Sequence, residues 1–179
     1  ATNVIAEGEV LQLMNMHDAS LDAEAYMRVI RAKTAKLFEA STRLAAILAG
    51  SDAATEARCA EYGQALGAAF QVIDDVLDYE GDAAELGKNL GDDLREGKVT
   101  LPVICTLQRC SAEQAELIRH AIEHGNTDRL DEIIAIVRGC GGLDDARLAA
   151  QTEAQRAIDA ARALPANEWS EAMAQLAAS

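Results

Sequence analysis

The sequence predicts an all-helical protein, and three observations predict it. Proline occurs only at positions 102 and 165, alanine and leucine abound, and the alternation of β-branched residues that marks strands is nearly absent. Helices are expected near 1–16, 22–49, 54–80, 100–109, 112–124, 128–139, 143–163 and 166–177. Gly50-Ser51-Asp52 ends the second helix and starts the third. Ser111 to Gln114 reads as a capping box, and Gly125-Asn126 and Gly141-Gly142 read as breakers between the later helices. Only 81–99 is long and irregular, and a loop of that length inside a helical chain is more often functional than not.

A chain of 179 residues, half of them hydrophobic and without a linker-like tract, is expected to form a single domain over 1–179. The formal charge of −14 disfavours nucleic acid and anionic membrane as partners, so any bound anion must be held locally. No apolar run approaches the roughly 18 residues of a membrane span, and the N-terminus lacks the pattern of a secretory signal. Both point to a cytoplasmic protein without stable membrane insertion. Cys59, Cys105, Cys110 and Cys140 show no zinc-like spacing and are expected to be reduced.

Two helices carry the informative faces. On the second, Tyr26, Ile30, Leu37, Leu44 and Leu48 form an apolar stripe, and Lys33 falls on it between Ile30 and Leu37. A lysine there must reach out to water, pair, or meet an anion. On the third, Tyr62, Leu66, Phe70, Ile73 and Leu77 are expected to be the core stripe. Beside it run Gly63, Gly67, Gln71, Asp74 and Asp78 at spacings of four, four, three and four. Two helix-interior glycines, each costing about 1 kcal/mol against alanine, imply close helix approach or room for a ligand.

Asp75 lies one turn from both Gln71 and Asp78, so three carboxylates are expected to converge within about one turn. Negative charge is disfavoured at a helix C-terminus, and a divalent cation would resolve the conflict. Hard oxygen ligands on an open site suit Mg²⁺, which keeps waters and shares its shell with substrate phosphate. The following segment carries Lys88, Arg95 and Lys98 among four glycines, a basic set suited to phosphate and tempered by Asp92 and Asp93. His120 and His124 sit one turn apart, but Ala121 stands where a metalloprotease helix needs glutamate, so no metal is assigned there.

FQVIDDVLDY followed by GKNLGDDLREGKVTLP resembles the second aspartate-rich motif and following loop of the trans-isoprenyl diphosphate synthases. KTA at 33–35 and GEVLQ at 8–12 match the same family in the expected order. The resemblance covers nearly the whole chain and implies an isoprenoid-synthase-type helical bundle, incomplete at its N-terminal side. The family's earlier DDxxD motif is not in the sequence, so the chain is expected to be the C-terminal portion of such an enzyme.

What the resemblance implies is a homodimeric, Mg²⁺-dependent prenyl transferase acting on an allylic diphosphate and isopentenyl diphosphate. By the same resemblance Asp74 is a direct Mg²⁺ ligand, with Asp75 and Asp78 acting directly or through water. Lys33, Thr34, Gln71 and Lys88 would hold the allylic diphosphate, Lys98 would close over it, and Asp74, Lys33 and Lys88 would be the catalytic set. Glu9 and Gln12 would be packing or supporting residues. With one aspartate motif, the chain alone is expected to be inactive. Two alternatives stay open: a partial homologue that regulates a complete chain by dimerising with it, and a plain helical scaffold.

Overall fold

The computed structural model describes residues 1–80 and 90–179, and all regular structure among them is helical. The elements are α1 (Thr2–Met14), α2 (Ala23–Ile30), a π-helical turn (Arg31–Ala35), α3 (Lys36–Leu48) and α4 (Ala53–Glu80). After them come α5 (Asp92–Arg95), α6 (Leu101–Arg109), α7 (Ala112–His124), α8 (Leu130–Gly139), α9 (Gly142–Arg162) and α10 (Glu168–Ala178). These follow the expected helices closely. The differences are the π turn inside the second expected helix and α5 inside the segment expected to be irregular.

Local chemistry accounts for the boundaries. Ser111 accepts from the Gln114 backbone N–H while the Gln114 side chain accepts from the Ser111 N–H, the expected capping box. Pro102 stands in the first turn of α6, where a missing N–H costs no helical bond. Gly125 closes α7 in the left-handed conformation, φ 61°.

The described residues form two compact units. One comprises 1–9, 28–71 and 149–179. Its core sets Tyr62 and Ala65 of α4 against Ala157, Ala160 and Ala161 of α9 and Ala177 of α10, with the Tyr62 hydroxyl donating to Met173 O at 3.0 Å. The other comprises 10–27 and 72–148. Val72, Val76 and Tyr79 of α4 are buried in it, as are Val103, Ile118 and Val137 of α6, α7 and α8.

The expected core stripes are corrected in both long helices. Tyr26, Ile30 and Tyr62 are buried as expected, but Leu37, Leu44, Ile73 and Leu77 are exposed, Phe70 is 58% exposed and Leu48 is 86% exposed. The buried face of α4 is instead Tyr62, Ala65, Ala69, Val72, Val76 and Tyr79, spaced by three and four. A helix that is apolar on most of its circumference gives periodicity little to choose from. Small side chains let neighbouring backbones approach, and here they win the interior over the larger ones.

Candidate functional site

The three carboxylates at the end of α4 go to different places. Asp75 is 4% exposed and its Oδ2 accepts from the Tyr26 hydroxyl at 2.5 Å. Burial, followed by the Asp75 charge, holds the Tyr26 phenol well above its ordinary range, so the proton stays on the tyrosine. Asp74 is exposed and Asp78 half-buried. Of the three, Asp75 turns inward to a core hydroxyl while Asp74 and Asp78 stay more open. Among the described residues no three His, Cys, Asp or Glu side chains gather in a metal-binding group.

Asp78 faces the start of α5. Its Oδ1 accepts from the Asp92 N–H and its Oδ2 from the Asp93 N–H, each at 3.2 Å, while its backbone carbonyl accepts from the Gly91 N–H at 2.9 Å. Burial, then the neighbouring Asp93 charge, pushes the Asp78 carboxyl up to about 6, against the lowering effect of those two N–H donors. Asp93 is likewise raised, first by burial and opposed by Lys98, with the Asp74 charge adding to the rise. Lys98 Nζ lies 3.3 Å from Asp93 Oδ1 and 2.6 Å from Glu96 Oε2, and Arg95 pairs with Asp92 at 3.4 Å. Lys88 lies outside the described residues.

Hard carboxylate oxygens close to one another are stabilised by a cation. Asp74 and Asp78 fit one that takes one or two carboxylates and fills its shell with water and phosphate, as Mg²⁺ does. They do not fit an all-protein cage.

In the other unit the π turn carries Lys33 and Thr34. Such turns widen a helix locally and occur often at functional positions. Lys33 Nζ pairs with Glu9 Oε1 at 3.1 Å, and the Thr34 hydroxyl donates to Gln71 Oε1 at 2.9 Å. Because the Gln71 oxygen accepts, its NH₂ is the end that donates. A Cβ on Gly8 would lie 2.7 Å from the Lys33 backbone nitrogen, so α1 sits directly on the π turn. Gly63 and Gly67 resolve the choice between helix approach and ligand space. A Cβ on Gly63 would meet Phe38 O at 2.5 Å and one on Gly67 would meet Ala35 Cα at 2.7 Å, so α3 and the π turn occupy that face.

His120 and His124 are exposed, with ring centroids 4.3 Å apart and no further ligand gathered beside them among the described residues. All four cysteines are free thiols. No helix among the described residues is long and apolar enough to cross a membrane. Sequence reasoning missed Tyr26 as the partner of Asp75, Glu9 as the partner of Lys33, and the backbone fork that Asp92 and Asp93 present to Asp78. A tyrosine on a core stripe carries a hydroxyl that needs an acceptor, and that was the available signal for the first.

Comparison with known proteins gives the family and the fold. The polyprenyl synthetase family matches over residues 1–137. Octaprenyl diphosphate synthase of Escherichia coli is 51% identical over 178 residues, 99% of this chain and 55% of that protein. An all-trans-nonaprenyl-diphosphate synthase of Rhodobacter capsulatus is 45% identical over 172 residues, 96% of this chain and 53% of its own length. Among solved structures, a Caulobacter crescentus polyprenyl synthase complexed with calcium and isoprenyl diphosphate superposes with a TM-score of 0.92 at 44% identity, covering 98% of this chain and 54% of the other. A decaprenyl diphosphate synthase from Rhodobacter capsulatus gives 0.90 at 39% identity, with 98% and 55% covered. The chain thus has the all-helical fold of these enzymes and spans about half the length of the relatives it matches.

Proposed function

The chain belongs to the polyprenyl synthetase family, and from that premise we propose that it carries part of the active site of a long-chain trans-prenyl transferase, octaprenyl diphosphate being the favoured product and the ubiquinone side chain its favoured use. The observation that carries the reading is the half-buried Asp78, held by the Asp92 and Asp93 N–H groups one helical turn from an exposed Asp74, oxygen donors of the kind a hydrated divalent cation takes. The reading includes a cytoplasmic homodimer and activity only in the intact protein. A regulatory dimer partner and a plain scaffold gain no support from relatives that are themselves synthases.

In the proposed reaction the C1–O bond of an allylic diphosphate breaks and diphosphate leaves with the bonding pair. The alkene of isopentenyl diphosphate then forms a C–C bond to the allylic cation, and loss of a proton leaves a trans double bond. Mg²⁺, when bound, supplies neutralisation of the departing diphosphate charge. Asp74 and Asp78 would hold it, with Asp78 aimed by the N–H groups of Asp92 and Asp93. Asp75, whose Oδ2 accepts from Tyr26, would act directly or through water. By the family resemblance Lys33, the Thr34 hydroxyl, the Gln71 NH₂ and Lys88 would bind diphosphate oxygens, and Lys98 would add charge. Such electrostatic stabilisation of a leaving group is the protein's main contribution.

The test is turnover of a full-length polyprenyl synthetase that carries residues 1–179. Asp74→Ala should lower turnover by about 10²–10³ while leaving the helical circular dichroism unchanged, as loss of one charge-stabilising group does. Near-normal turnover would sink the proposal.

A further inference from the structure

His17 has φ 61°, and among the described residues it stands alone outside glycine in the left-handed region. Histidine is one of the few side chains enriched there, and a residue held so needs surroundings that over-determine it. Three contacts do so. The His17 N–H donates to Gly97 O at 2.9 Å, and its Nδ1 donates to Ile122 O at 2.8 Å, since a carbonyl oxygen accepts only. The ring covers the Cα of Gly97 so closely that a Cβ there would lie 2.4 Å from Cε1 and 2.5 Å from Nε2. Gly97, at φ 81°, immediately precedes Lys98, whose backbone N–H donates to Asp93 O at 2.9 Å. A single imidazole from the α1–α2 connection thereby ties the C-terminal end of α7 to the segment that presents Lys98 and Asp93 to Asp78.

We infer that His17 is a positioning residue that latches Gly97 and so fixes where Lys98 and Asp93 stand beside Asp78, an inference that rests on the diphosphate-binding role proposed for Lys98. The ring touches neither carboxylate nor lysine. Its effect passes through the Gly97 backbone.

Two readouts on the chain as it stands test this, using His17→Gly, Lys98→Met and the double variant. Glycine keeps the backbone conformation and the N–H while removing the ring. His17→Gly should speed amide hydrogen exchange at Gly97 and Lys98 by about tenfold, the scale of one lost hydrogen bond, with exchange in α6 unchanged. Unchanged exchange at those amides, or an equal rise across the unit, would overturn the latch. In the presence of Mg²⁺, His17→Gly should weaken binding of inorganic pyrophosphate about three- to tenfold, and should add nothing in the Lys98→Met background, because coupled residues are not additive. An equal loss in both backgrounds would show a general structural effect and overturn the positioning role.

If His17→Gly fails to fold, NMR of the unaltered chain labelled with nitrogen-15 and carbon-13 decides: a protonated Nδ1 coupled across the hydrogen bond to the Ile122 carbonyl carbon supports the latch, and a bare Nδ1 refutes it. Absence of pyrophosphate binding by the unaltered chain would instead remove the role of Lys98 and with it anything for His17 to position, while the exchange rates would still decide the contact.

Discussion

The two halves of α4 solve opposite problems with the same helix. In its first half, Gly63 and Gly67 give up side chains so that Phe38, Thr42 and Ala35 can press against the backbone, and of the two readings the sequence left, helix approach and ligand space, the first holds. In its second half, Asp74 and Asp78 stand among Asp92 and Asp93, and burial plus mutual repulsion drives the Asp78 carboxyl up to about 6. One half is satisfied by packing. The other gathers like charges at a helix C-terminus, and local conflict of that kind marks function more often than error.

Breaking the closed half should cost stability on the scale of overpacking. Gly67→Ala places a methyl carbon 2.7 Å from Ala35 Cα, closer than side-chain carbons approach backbone, so α3 or α4 must shift. Urea denaturation should show a loss of about 1–3 kcal/mol, the usual cost of overpacking. A loss within error would mean that the two helices slide apart freely and that the glycines are not there for packing.

The buried anchor of the acidic half comes next. Tyr26→Phe removes the hydroxyl that donates to Asp75 Oδ2 while keeping the ring in the core. The expected loss is about 1.5–3 kcal/mol, as for hydrogen bonds to charged groups, and thermal melting at neutral pH would read it. No change in melting would show that Asp75 draws its support elsewhere.

How much of this was legible without the structure follows from where the information sits. Helices α6 to α10 were readable because capping residues, Gly125, Gly141 and the two prolines are local signals. The acidic end of α4 was readable as chemistry, because like charges at a helix C-terminus conflict whatever packs around them. The inward turn of Asp75 was not, since it depends on Tyr26, 49 residues away. Nor was the choice of buried face, because Leu37, Phe70 and Leu77 compete with alanines and valines on hydrophobicity and lose on shape. The π turn at 31–35 has no composition of its own, and the His17 contact joins residues 105 positions apart.

A smaller effect separates the halves by pH. Asp78 has a folded pKa of about 6 against an ordinary 3.8, so the folded state holds this proton more tightly. Its contribution favours folding below the ordinary carboxyl range and is lost as pH rises through about 6. Without divalent cation, the melting temperature should therefore decline across that window relative to Asp78→Asn, in which the slope is removed. Parallel pH profiles for the two proteins would show that Asp78 carries no strain from its neighbours.

The contrast between the halves is read residue by residue in a nitrogen-15 NMR titration of the chain with Mg²⁺ and inorganic pyrophosphate. Expected are weak, Mg²⁺-dependent shifts at Asp74, Asp78, Asp93 and Lys98, none at Gly63, and loss of the response in Asp74→Ala. Shifts confined to other residues such as His120 and His124, or a pyrophosphate response indifferent to Mg²⁺ and to Asp74, would contradict the assignment of this helix end to a metal–diphosphate site.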